Sequence, residues 1–112
     1  MSNTVIAWLL LAASIVSEVI GTIALKHSHG FAKLLPTLGA ASCFLLAIWL
    51  MSLSLKHIEM GITYAVWAGS AAAILALVGI ALYGESISMF KLVGMLMVVG
   101  GVIVLNLDSY VN

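Results

Sequence analysis

Residues 4–25 read TVIAWLLLAASIVSEVIGTIAL, a run in which Glu18 is the only charged side chain. A helix rising 1.5 Å per residue needs about 20 predominantly apolar residues to cross a hydrocarbon layer of ~30 Å, and this run is long enough. Only helices or closed barrels satisfy their backbone groups at that depth, and the alternating pattern of a barrel strand is absent. Working outward, three more stretches pass the same test, at about residues 34–55, 58–83 and 87–107. With 64% hydrophobic and 7% charged residues in a chain of 112, the composition is that of a membrane protein.

The expected fold is therefore all-α and integral to the membrane: one domain over residues 1–112 with four transmembrane helices at about 4–25, 34–55, 58–83 and 87–107. Lys26-His27-Ser28-His29-Gly30, Lys56-His57 and Gly84-Glu85-Ser86 mark the connections. Because all three are short, sequential helices run antiparallel in an up-down topology. Lys26, Lys33 and Lys91 then lie on one side and Lys56 on the other, a shallow bias for setting orientation. Met1-Ser2-Asn3-Thr4 lacks the basic start of a signal peptide, and the apolar run behind it is too long for a signal core, so this terminus reads as retained.

Several function classes are disfavoured. Four lysines cannot build a phosphate-tracking stripe, which argues against a nucleic-acid partner. The single cysteine, Cys43, excludes an intrachain disulfide and reads as a small buried hydrophobe. His27 and His29 flank Ser28 without companion ligands, so no metal is expected. No phosphate loop or nucleophile elbow appears, and neither a cofactor nor an enzymatic reaction is expected.

Glu18 stands out because an ionised carboxylate at mid-membrane costs at least ~2.5 to 3.5 kcal/mol. Desolvation penalises its charged form, and a second copy from a facing subunit would add repulsion. Such a carboxyl can hold either a proton or an organic cation, which is the minimum equipment of a proton-coupled cation exchanger. The plainer reading is a protonated Glu that hydrogen-bonds neighbouring helices together. Ser14, Glu18, Gly21 and Thr22 recur at three- and four-residue spacing and form a small, polar stripe expected to face a cavity. On the third helix Tyr64 and Trp67 share a face and offer a phenol and an indole to a cationic ligand. Phe44, Ile48 and Met51 share a face of the second helix by spacing and offer a further wall to the site, with core packing as the default reading. Gly94 and Gly101, seven residues apart with Gly100 beside them, provide a surface for close helix approach between chains or within one.

Ser17-Glu18-Val19-Ile20-Gly21-Thr22, Lys26-His27-Ser28-His29-Gly30-Phe31, Pro36, Trp49, Gly61-Ile62-Thr63-Tyr64-Ala65-Val66-Trp67-Ala68-Gly69 and the Gly94 to Gly101 segment together resemble the small multidrug resistance transporters. These are proton-coupled exporters of cationic compounds in the bacterial inner membrane. The resemblance covers nearly the whole chain. It implies a multi-pass protein forming an antiparallel homodimer, with two copies of Glu18 in one shared site, Tyr64 and Trp67 lining it, dimer contact through Gly94 and Gly101, and a hinge at Gly69. Val19-Ile20-Gly21-Thr22 resembles the drug-exporting branch, whereas guanidinium exporters typically carry Trp at the position of Gly21. The implied substrates are quaternary ammonium and other lipophilic cations.

Phe44 stands where multidrug members often have Tyr, Ile48 where they often have Phe, and Ala71 where a second hinge Gly is usual. Ser14 replaces a common Ala or Gly, positioned to narrow the site or to bond to Glu18. The resulting site is expected to be less polar and to stack less well on flat aromatic dyes. Rival readings are a guanidinium or polyamine exporter of the same family, one needing a paralogous partner, a passive channel, and a scaffold subunit in which Glu18 only locks helices.

Overall fold

The structure, a computed structural model, describes residues 3–111 of the chain and, within its helices, side chains through Asp108. Met1 and Ser2, the start of the terminus read as retained, lie outside the described residues. Four α-helices follow one another: α1 Asn3–His27, α2 Leu34–Ser54, α3 Met60–Tyr83 and α4 Met89–Val111. Their best windows reach mean hydropathies of 2.0, 2.0, 2.2 and 2.2, so each is long and apolar enough to cross a membrane. The chain divides into two compact units, Met1–Glu59 and Met60–Asn112, each a helical hairpin.

In the first hairpin α1 runs two residues beyond the expected end, placing Lys26 and His27 in its last turn, where cations complement the helix dipole. Ser28 then knits the connection. Its hydroxyl donates to the Leu25 carbonyl at 2.7 Å and accepts from the Phe31 amide at 3.2 Å, while the Lys33 amide reaches the Ser28 carbonyl at 3.0 Å. His29, Gly30 and Phe31 all take positive φ, a sharp reversal that only Gly30 makes without strain. Pro36 falls in the first turn of α2, where no intrahelical amide is lost.

The seam between α1 and α2 is built from small side chains. Ala7, Leu11, Ser14, Ser17 and Gly21 are buried on α1, and Ala40, Ala47 and Ser54 on α2. A Cβ on Gly21 would lie 3.0 Å from the Cys43 Cβ and 3.5 Å from the Ala40 carbonyl oxygen. Three hydroxyls cross the seam to main-chain carbonyls: Ser14 to Ala47 at 2.7 Å, Ser17 to Cys43 at 2.8 Å and Ser54 to Ala7 at 2.9 Å. In lipid, where burying apolar surface between helices gains little, close packing and such bonds, worth about 0.6 kcal/mol each, hold a hairpin together.

After α2 the Ile58 amide bonds back to the Ser54 carbonyl at 3.1 Å, which carries the turn past the expected start of the third span. In the second hairpin α3 is one uninterrupted α-helix through residue 69, and Gly69 lies against Val98 and Val102 of α4. Gly84, at φ +64°, reverses the chain so that the Glu85 amide reaches the Gly79 carbonyl at 3.0 Å. The Glu85 carboxylate lies over Gly79, in the space a side chain there would occupy. Helix α4 starts at Met89 because Ser88 caps it, its hydroxyl accepting from the Lys91 amide at 3.1 Å.

Candidate functional site

Glu18 lies within α1, about 22 Å along the axis from Asn3 and ~14 Å from His27 at 1.5 Å per residue. Thr22, one turn on, donates its hydroxyl to Glu18 Oε1 at 3.2 Å. The other carboxylate oxygen, Oε2, is buried and meets no hydrogen-bond partner among the described residues. Burying an unpaired acceptor is costly and burying an unpaired charge more so. This half-satisfied carboxyl therefore has capacity for a proton or a cation.

The stripe read from the sequence divides in two. Ser14 is fully buried and donates to the Ala47 carbonyl rather than to Glu18. Gly21 is buried against α2, with the Phe44 ring 3.5 Å from where its Cβ would be. Glu18 and Thr22 lie beside this seam, about 100° around α1 from Ser17 and Gly21 respectively. On α2 Phe44 is half-buried and Ile48 is exposed.

The second hairpin carries the aromatic pair. Tyr64 and Trp67 bring their ring centroids to 5.7 Å at a tilt of 50°, within the range of a favourable edge-to-face contact. Tyr64 is exposed, whereas the Trp67 indole N–H is buried and lacks a hydrogen-bond partner among the described residues. Gly94, Gly100 and Gly101 have open space where a side chain would stand. Gly69 does not: a Cβ there would come within 2.9 Å of Val102 Cγ2.

Sequence reasoning passed over Ser17 and Ser54, which secure the first helix to the second. Their signal was present in the small residues 40, 43, 47 and 54 of the second span, spaced at whole helical turns.

Four helices apolar enough to span a bilayer, the first of them carrying Glu18, define a multi-pass membrane protein. The chain belongs to the Small Multidrug Resistance protein family, whose model matches residues 6–98. It is 44% identical over 105 residues to the quaternary ammonium compound-resistance protein QacF of Klebsiella aerogenes, covering 94% of this chain and 96% of that relative. The multidrug resistance protein EbrB of Bacillus subtilis is 45% identical over 98 residues, 88% of this chain and 84% of EbrB. The multidrug transporter EmrE of Escherichia coli K12 is 33% identical over 102 residues, 91% of this chain and 93% of EmrE.

Proposed function

We propose that this protein is a proton-coupled antiporter that exports quaternary ammonium and other lipophilic cations across a bacterial inner membrane. The observation that carries the reading is the half-buried Glu18 carboxyl in an apolar helix, its Oε2 buried and without a hydrogen-bond partner among the described residues. Relatives named for quaternary ammonium resistance and multidrug transport support the substrate class. Gly21 supports it as well: with Cys43 Cβ only 3.0 Å from where its Cβ would be, the larger side chain typical of guanidinium exporters does not fit between α1 and α2.

In this reading the working unit is an antiparallel homodimer joined through Gly94 and Gly101 of α4, and it presents two copies of Glu18. Protons and one cation compete for these carboxylates, and the dimer alternates between inward-open and outward-open forms. Competition at one site is the coupling. Each pH unit of gradient contributes about 1.4 kcal/mol per proton, and each net charge moved ~2.3 kcal/mol per 100 mV. Tyr64 and Trp67 offer ring faces to the cation and Thr22 orients the carboxylate. Phe44 and Ile48 supply apolar wall, Ser14 secures α1 to α2 one turn from Glu18, and Gly69 is the proposed hinge. Because antiparallel subunits act as their own inverted repeat, the two open forms are structurally equivalent with subunit roles exchanged.

The test is to add tetraphenylphosphonium to weakly buffered, detergent-purified protein near neutral pH and record proton release. Wild type is expected to release protons and Glu18→Gln to release none. Cation binding without release at several pH values would overturn shared-site antiport in favour of a channel or scaffold.

A further inference from the structure

Between α3 and α4 runs a furrow to which the transport reading assigns no ligand. Ala73, Ala76 and Ile80 of α3 face Met95 and Val99 of α4 across a hollow of about 200 Å³, whose lining is apolar except for Lys91 at one end. A second hollow of about 250 Å³ shares Ala73 and Val99 with the first and extends it to Gly69 and Ile103. From Lys91 to Ile103 the furrow follows α4 for ~18 Å at 1.5 Å per residue, against ~15 Å for one leaflet of a ~30 Å hydrocarbon core. Its length therefore matches one lipid chain entering from one side of the membrane.

The charged end has the chemistry of a headgroup site. Lys91 Nζ donates to the Ser86 carbonyl at 3.0 Å and lies 3.9 Å from Glu85 Oε1. That loose pair leaves the ammonium with donor capacity, and both side chains keep exposed surface, 28% for Lys91 and 47% for Glu85. A cation beside an anion complements a phosphate that carries an ammonium. A second copy of the chain fits this furrow poorly. The open glycines Gly94 and Gly101 lie roughly 100 to 160° around α4 from Met95 and Val99, so a backbone packed on the glycines leaves the furrow uncovered.

We propose that the α3–α4 furrow binds one acyl chain of a glycerophospholipid, whose phosphate is held by Lys91 at the turn formed by residues 84–88. The site is separate from Glu18 and takes a lipid rather than a transported cation.

The test reconstitutes the full-length protein in vesicles of phosphatidylethanolamine and phosphatidylglycerol containing a trace of phosphatidylethanolamine with a diazirine in its acyl chain. Photolabelling is mapped by mass spectrometry and normalised to a free aryl diazirine in parallel vesicles. Labelling of Ala73, Ala76, Met95 and Val99 is expected to exceed that of Leu45 and Leu46, exposed residues of α2, several-fold. Equal labelling would mean ordinary boundary lipid and overturn the proposal. Protection of the furrow residues would mean that a second copy or the chain's own first hairpin covers them, which overturns it too. The phospholipid probe should label the furrow roughly tenfold more than a diacylglycerol bearing the same chain, the preference expected from one charge-assisted hydrogen bond. Lys91→Gln should bring that ratio close to one, and Ala76→Leu should remove the excess labelling by filling the furrow. A ratio near one in wild type would overturn the headgroup assignment, and the wild-type map decides even where a variant does not fold.

Discussion

Gly21 and Cys43 meet so closely that a methyl group on Gly21 would stand 3.0 Å from the Cys43 Cβ. This contact brings the backbones of α1 and α2 together one turn from Glu18, within a seam whose hydroxyl bonds require the same close approach.

Gly21→Ala should therefore destabilise the first hairpin by about 1 to 3 kcal/mol, the usual range for overpacking a site that cannot expand freely. The strain comes from a Cβ–Cβ collision, so Cys43→Ala will not relieve it, while Cys43→Gly removes the colliding atom. Unfolding in mixed micelles of Gly21→Ala, Cys43→Gly and the double variant tests this. Additive losses would show that the collision is not the source of the strain.

The seam serines make a different prediction. Replacing Ser14, Ser17 or Ser54 by Ala removes one interhelical hydroxyl bond and leaves a carbonyl within its own helix, so each change should cost about 0.6 to 1.7 kcal/mol. The Ser14 hydroxyl is committed to Ala47, so Ser14→Ala should change tetraphenylphosphonium affinity less than about twofold while lowering stability. A larger affinity loss at unchanged stability would place that hydroxyl on the ligand.

Thr22 is the hydroxyl that the structure assigns to the carboxylate itself. Thr22→Val keeps the shape of the side chain and deletes the donor. Affinity for tetraphenylphosphonium at neutral pH should fall at least about tenfold, the effect of one hydrogen bond to a charged group. Thr22→Ser, which keeps the hydroxyl, should restore most of it. Isothermal titration of the three proteins decides, and equal affinities would dissociate Thr22 from Glu18 function.

How far the sequence predicts these features follows from what a membrane does to sequence patterns. Length and hydropathy locate all four helices, because a span must be apolar throughout its crossing. Their ends moved where local hydrogen bonds decide: Ser88 caps α4 at Met89, and Ser54 carries the turn after α2 through Ile58. Faces were harder to read. In a helix apolar all round, periodicity does not distinguish a lipid-facing Leu from a buried one. Ser14 and Glu18 appeared as one stripe by spacing, although the structure turns Ser14 into the seam and leaves Glu18 beside it. Residues 40, 43, 47 and 54 of α2 were visible only to an argument from side-chain size, the property that governs helix packing in lipid.

Close packing and the proposed hinge make two readings of Gly69 that a double variant can separate. Its Cβ position lies 2.9 Å from Val102 Cγ2 and 3.2 Å from Val98 Cγ1, so Gly69→Ala pushes α4 away from α3 whether or not α3 bends there. Val is stiff at χ1 and does not readily swing aside, so a loss of about 1 to 3 kcal/mol is expected. Val102→Ala supplies the missing space, and the pair Gly69→Ala with Val102→Ala should recover most of the stability. If resistance to quaternary ammonium compounds in cells returns with stability, Gly69 serves close packing alone. If stability returns and resistance does not, the residue is needed for the backbone freedom that a hinge requires, since Ala restricts the backbone where Gly does not. The proposed alternating mechanism expects this second outcome.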